Sequence, residues 1–173
     1  MGGKAKGLLL APSGVSIVER WRRLLEDEGL QVVLVGQRAE YAPLGLPTLQ
    51  DAQPDSGPLA GLVTLLGVGE SILAVACDMP HVSPALLHRL LTESPDAPLL
   101  APRIEGVWQP LFARYDSARV LPFAQKRLAE GRLALQGLLD EAGAVALPLS
   151  PAEEAELTDW DRPEDVTDSP STR

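Results

Sequence analysis

SILAVACDMPHVSPALLHRLLTE, Ser71–Glu93, decides the fold. Six apolar residues run without a break from Ile72 to Cys77 and end on a carboxylate, Asp78. A short run that is apolar at every position, instead of at alternate ones, predicts a strand covered on both faces. Ser83 and Pro84 then open an amphipathic helix. A serine hydroxyl satisfies an orphan N–H at the N-cap, and proline fits the first turn, where its missing N–H costs nothing. Strand, carboxylate, capped helix is one unit of a sheet with helices on its faces. In such sheets ligands bind outside the carboxyl ends of the strands, which puts Asp78 on the rim. Since Ser83 already serves as the cap, a carboxylate at 78 is better explained by a divalent cation bridging it to a phosphate.

The same rhythm extends on both sides. Ser16–Gly29 has apolar residues at Ile17, Val18, Trp21, Leu24 and Leu25, the spacing of a helix, with Gly29 as its C-cap. Leu30–Gly36 is short, β-branched and apolar, a strand expected to be buried on both faces, and Leu46–Asp51 is a weaker strand. Gly57–Gly69 begins a helix with Pro58 in its first turn. Alternating strands and helices predict a mostly parallel sheet between two helical layers. The second half changes style. Ala97–Tyr115 reads as two extended segments turning at Glu105-Gly106. Ser117–Gly131 and Arg132–Gly143 read as helices, and Ala144–Ser150 as a last strand. The polar end from Asp168 is expected to be disordered.

Composition limits the possibilities. A chain of 173 residues with 45% hydrophobic residues suits one globular domain, expected over residues 1–167, with 168–173 as its tail. With aromatics at 4%, the core must be built from Leu, Val and Ala. A net charge of -9 argues against binding nucleic acid through a broad basic face, yet a local cluster of donors can still hold a small anion. The single cysteine, Cys77, excludes an internal disulfide and a multi-thiolate metal site and fits a reducing compartment. No apolar run approaches the ~20 residues of a membrane span. Gly7–Ala11 is too short for a signal-peptide core. A cytoplasmic protein without membrane attachment is the expectation.

Two glycine-rich stretches join Asp78 as candidates for chemistry. In Gly57-Pro58-Leu59-Ala60-Gly61 the glycines permit close backbone approach, and the new helix offers unpaired N–H groups to an anion or ligand edge. In Gly2-Gly3-Lys4-Ala5-Lys6 backbone amides can converge on a phosphate, and a lysine ammonium adds a point charge. Other residues read as structure. Cys77 is a small buried side chain, Trp108 is core, and His81 and His88 lie on loop and helix surfaces. Arg103, Arg114, Lys126 and Arg127 read as solvated charges, and Glu153, Glu154 and Glu156 as a solvated helix face.

Taken together, MGGKAKGLLL (1–10), QDAQPDSGPLAGL (50–62), ACDMPHVSPALLHRL (76–90), WQPLFARY (108–115) and DWDRPEDV (159–166) resemble the molybdenum cofactor guanylyltransferase family (MobA-type). That family lies among the nucleotide-diphospho-sugar-transferase-like nucleotidyltransferases. The likeness spans nearly the whole chain in order, and Gly-Pro-Leu-Ala-Gly followed by Cys-Asp-Met-Pro is its most specific part. It implies an α/β three-layer sandwich with a mostly parallel, Rossmann-like sheet. It puts Lys6 on the family's phosphate-contacting lysine and Asp51 on a nucleotide-contacting aspartate. Gly57 falls at the nucleotide-binding Gly-Pro-Leu-Ala-Gly loop, and Asp78 on the magnesium ligand. Gln109 stands where the family has histidine; Asp159 and Asp161 replace asparagines, with Asp161 implied as a second metal ligand. The family's leading strand and the Leu-Ala-Gly-Gly half of its signature are not matched, so the first strand of the sheet is expected to be missing. The chain starts within a phosphate loop, and a natural start further upstream is expected.

The implied reaction moves GMP from GTP to the terminal phosphate of molybdopterin and releases pyrophosphate. Mg2+ is the implied cofactor, GTP and molybdopterin the substrates, and molybdoenzymes or cofactor-delivery proteins the partners beyond them. Such a reaction needs positioning and charge neutralisation and no protein nucleophile. Lys6 and Asp78 are the implied catalytic residues. Spacing alone does not choose guanine over cytosine. A cytidylyltransferase for the same cofactor, another small-molecule nucleotidyltransferase, and a non-catalytic nucleotide-binding homologue therefore stay open.

Overall fold

The computed structural model describes residues 6–36, 39–50, 53 and 56–160. The expected tail lies outside them. A 3-10 turn at Lys6–Leu8 leads into α1 (Ile17–Asp27), β1 (Leu34–Val35), a second 3-10 turn (Ala39–Leu44), β2 (Thr48–Leu49), α2 (Gly57–Leu66) and β3 (Ser71–Val75). Then come α3 (Pro84–Thr92), β4 (Leu99–Ile104), β5 (Val107–Trp108), β6 (Phe112–Asp116), α4 (Ser117–Ala129), α5 (Leu135–Glu141), β7 (Val145–Leu147) and α6 (Pro151–Glu156). The caps follow the sequence. Ser16 accepts from the Glu19 N–H and Ser83 from Leu86, while Gly29 takes φ 77° just past α1. Glu105 and Gly106, at φ 50° and 84°, make the tight β4–β5 turn, whose two left-handed residues match strand twist.

The main sheet runs β3–β6–β4–β7. Leu100 pairs with both Arg114 and Val145, so β6 and β7 take opposite edges of β4, while β5 continues the β6 side towards Ile104. β3, β4 and β7 share one direction and β6 is reversed between them. The pleat sends alternate side chains to opposite faces. On one face Leu99, Ala101, Ala113 and Tyr115 pack with Leu59 and Leu62 of α2, Val120 and Ala124 of α4, and Leu138 and Leu139 of α5. On the other, Leu100, Phe112 and Leu147 pack with Ile17 and Trp21 of α1, Leu86 and Leu90 of α3, and Trp160. Two cores on either side of one sheet make the three-layer sandwich.

β1 and β2 form a separate parallel pair, Leu34 on Thr48 and Val35 on Leu49. Between them and β3 lies an apolar cleft of ≈ 380 Å³, walled by Gln31–Leu34 and Ile72–Leu73, with Trp21 and Leu25 on one side and Leu65 and Val68 on the other. Hydrogen bonding shows what faces it. Ala76 N–H donates to Leu111 and Ser117 N–H to Glu70, so the even-numbered residues of β3 pair with β6. The odd-numbered Ser71, Leu73 and Val75 turn their main-chain groups to the cleft. Across it Leu34 and Gly36 donate to Pro47 and Leu49, which leaves Val33 and Val35 facing the gap. The interruption lies in the middle of the layer, and among the described residues no strand fills it.

Leu30–Gly36 therefore departs from expectation. Its ladder is two residues long, and Val35 is 37% exposed instead of buried on both faces. A run with a neighbour on only one edge keeps water on the other. Two charge assignments also change. Arg127 is 5% exposed and binds Glu141 at 2.7 Å and the Ala134 carbonyl at 2.9 Å, joining α4 to α5. Arg114 donates to the carbonyls of Leu91, Glu93 and Ser94, closing the turn after α3. Trp108 is core as expected, its Nε1 donating to Asp140 at 2.8 Å while Arg103 stacks on its ring.

Candidate functional site

Asp78 lies three residues beyond the end of β3, at the carboxyl edge of the sheet, and is half-buried. It lines an open cavity of ≈ 490 Å³ together with Ala76, Gln109, Pro110, Leu111 and Asp159. Three acidic residues line it from two distant stretches, Asp78 leaving the sheet, and Glu154 of α6 with Asp159 just after it. Among the described residues no three of His, Cys, Asp or Glu gather into a metal cluster. Carboxylate oxygens on a concave rim suit a hard cation, which can bridge them to a phosphate.

A second cavity of ≈ 410 Å³ adjoins the first, with Leu111 in the wall of both, and is lined by Val35, Gly57, Pro58, Gly61, Ala74 and Val75. Gly57 opens α2 at φ 66°, a left-handed conformation that a side chain makes costly, and the space beside it is open. Val75 carries the wall on into the cleft between β1 and β3. The carboxyl edge is thus one trough, from the Gly57 turn to Asp78.

The N-terminal 3-10 turn packs through Gly7 on Cys77, which lines the cleft between β1 and β3. The Gly7 N–H donates to the Tyr41 hydroxyl at 3.3 Å. A Cβ at position 7 would sit 2.8 Å from that hydroxyl and 3.1 Å from Cys77 Cβ, so only glycine brings the turn this close. Lys6 precedes Gly7, and Asp78 follows Cys77, so the two segments meet at Gly7 and Cys77. Asp51 and Asp161 lie outside the described residues.

The electrostatics are local. Burial pushes the Cys77 thiol up to about 11, and the Asp78 carboxylate next to it adds to the rise, so the thiol stays protonated and inert. Burial holds His81 below its ordinary range, with the Arg20 guanidinium adding repulsion. The acidic face of α6 is more than a solvated one. Glu153 caps its own helix and binds Arg89 of α3, while Glu156 accepts the Ser83 N–H at 2.7 Å. Tyr41, Glu156 and Trp160 are the site-shaping residues that sequence reasoning missed. Each acts on a segment at least 30 residues away in the chain, and no local spacing announces such a pair.

The site can be set beside known proteins. Residues 1–144 match the model of the MobA-like NTP transferase domain. A molybdenum cofactor guanylyltransferase of Pseudomonas entomophila is 34% identical over 95% of this chain and 88% of its own length. A probable molybdenum cofactor guanylyltransferase of Carboxydothermus hydrogenoformans is 36% identical over 73% of this chain and 64% of its own. Among solved structures, molybdopterin-guanine dinucleotide biosynthesis protein A of Archaeoglobus fulgidus superposes with a TM-score of 0.76 at 22% identity, covering 95% of this chain and 88% of that one. The 2-C-methyl-D-erythritol 4-phosphate cytidylyltransferase of Thermus thermophilus gives 0.69 at 15%, over 94% and 90%. The two structures share the fold. With a family model covering most of its length and a relative at one-third identity from end to end, the chain belongs to the MobA-like NTP transferases.

Proposed function

We propose that this chain joins GMP from GTP to the terminal phosphate of molybdopterin, forming the guanine dinucleotide cofactor and releasing pyrophosphate. The observation that carries the reading is Asp78 on the wall of an open trough at the carboxyl edge of the sheet, in reach of the Gly57 turn and beside the Lys6–Leu8 turn. A phosphate oxygen of the acceptor attacks the α-phosphorus. The bond from that phosphorus to the bridging oxygen of the β-phosphate breaks, and the electron pair leaves with pyrophosphate. Both substrates carry negative charge, so the protein's work is to align them and offset repulsion.

In this reading Gly57 lets the α2 backbone approach the nucleotide, and Asp51 accepts from guanine N–H groups or the ribose. Lys6 stabilises charge gathering on the α-phosphate and the leaving group. Asp78 and Asp161 hold Mg2+. The donor set fits, since Mg2+ takes one or two carboxylates and completes its shell with phosphates and water, and Asp78 and Asp159 line one cavity with hard oxygens. When bound, Mg2+ polarises the α-phosphate. The domain assigned to this activity runs over residues 1–167 and acts in the cytoplasm, with molybdoenzymes or cofactor-delivery proteins taking its product.

The test is Asp78→Ala, assayed for dinucleotide formation from molybdopterin with GTP and, in parallel, CTP. Loss of at least about a hundredfold in turnover with the fold intact is expected, the scale of removing a main electrostatic element. GTP should outpace CTP. Near-normal rates in Asp78→Ala would overturn the reading of the site, and faster use of CTP would overturn the guanine assignment.

A further inference from the structure

The loop from Asp78 to Ser83 joins β3 to α3 without a ladder to hold it, yet each part of it is tied down. Met79 and Val82 are buried. The Val82 carbonyl accepts from the Arg20 guanidinium of α1. The Ser83 N–H donates to the Glu156 carboxylate at 2.7 Å, and the Asp78 carbonyl accepts the Trp160 N–H at 2.9 Å. Trp160 itself is 3% exposed, and its indole meets the His81 ring edge-on, centroids 5.6 Å apart and planes at 73°. Two of these three polar ties come from one short stretch, the end of α6 and the residues after it. That stretch also carries Asp159 into the cavity that Asp78 lines.

We propose that Trp160, supported by Glu156, is a positioning residue that locks the Asp78 loop to the segment bearing Asp159, so that the two carboxylates keep a fixed relation across one cavity. The hydrogen bond to Asp78 is a main-chain one, and the buried indole determines where that N–H sits. Replacing the indole by a methyl group would leave the bond possible but no longer held in place. The lock concerns how the trough is kept in shape. Its effect on metal binding rests on the reading of Asp78 given above.

The experiment compares Trp160→Ala, Trp160→Phe and Leu147→Ala. Leu147 belongs to the same core cluster, from β7, and serves as a control for plain destabilisation. Two quantities are read well below the unfolding temperature: amide hydrogen exchange at Met79, His81, Val82 and Ser83, and the dissociation constant of Mn2+ by electron paramagnetic resonance. Trp160→Ala is expected to speed exchange in the loop and weaken Mn2+ about tenfold, the lower end for lost outer-sphere support of a metal ligand. Trp160→Phe keeps a ring against His81 and should restore both substantially, while Leu147→Ala lowers the melting temperature and moves neither. Glu156→Ala should repeat the effect in smaller measure, and it decides the matter if Trp160→Ala does not fold. Unchanged loop exchange in both Trp160→Ala and Glu156→Ala, or equal changes in Leu147→Ala, would overturn the lock. Asp78→Asn separates the two readings. If it binds Mn2+ like the parent protein, the metal reading fails while loop exchange still decides the lock.

Discussion

Leu30–Gly36 and Leu99–Ile104 are both apolar runs, and by composition the first is the better strand. It holds three valines, where the second holds an interior proline and ends on a charged stretch. Yet Leu30–Gly36 keeps a two-residue ladder at the mouth of a cleft, and Leu99–Ile104 is a six-residue strand with its first four residues buried. Neighbours make the difference. β4 has β6 on one edge and β7 on the other, with a helical layer over each face. The β1 run has β2 on one edge and a gap on the other. Strand propensity is a preference for a paired, half-buried surface, and where the pairing is not supplied the preference has little to act on.

The sharpest way to break this comparison is to cut the same apolar bulk from each side. Leu100→Ala, at the shared register of β6, β4 and β7, should cost about 2–5 kcal/mol, the range for a buried leucine whose cavity cannot collapse. Val33→Ala, on the cleft, should cost well under 1 kcal/mol, because the lost methyl groups already face open space. Urea denaturation of the two variants checks both figures, and equal losses would mean that the cleft is as tightly packed as the core.

Arg114→Ala sharpens the comparison on the β6 side. Its guanidinium is partly desolvated, and three carbonyls of the turn between α3 and β4 depend on it. Hydrogen bonds to a charged group contribute about 1.5–3 kcal/mol, so a loss near 2 kcal/mol is expected, with a lowered melting temperature by calorimetry. A loss below 0.5 kcal/mol, on the usual scale of surface substitutions, would return Arg114 to the solvated charge that its sequence context suggests.

The smallest effect is one of pH. The Ser150 main-chain N–H, then its hydroxyl, then Arg89 hold the Glu153 carboxyl down to about 2. A folded value below the unfolded one near 4.3 means that Glu153 stabilises the native state above the unfolded value, and that this is lost as pH falls from about 4.3 towards 2. Thermal melts across that window should fall less steeply in Glu153→Gln than in the parent. Parallel slopes would show that the contact between α6 and α3 carries no linked proton.

How much could be read in advance varied with the range of the interaction. The helices were legible because caps and spacing are local. Ser16, Ser83 and Gly29 do in the structure what such residues do at helix ends. The place of Asp78 on the rim was legible because a carboxylate that follows an apolar strand falls at the carboxyl edge of the sheet. Glu156 was misread as a solvated charge, and Arg127 likewise. Whether a charged side chain reaches water or a partner is settled by what folds over it, and the partners of these two lie 73 and 14 residues away.

The sequence by itself determined the alternation of strands and helices, the turn at Glu105-Gly106 and the family to which the motifs point, since each of these is written in neighbouring residues. Only the tertiary structure decided that the layer is split between β1 and β3, that Gly7 rests on Cys77, and that Trp160 and Glu156 fasten the Asp78 loop. Those outcomes depend on which distant surfaces meet. A contact between residues far apart in the chain forms only when the whole arrangement offsets the entropy of bringing them together.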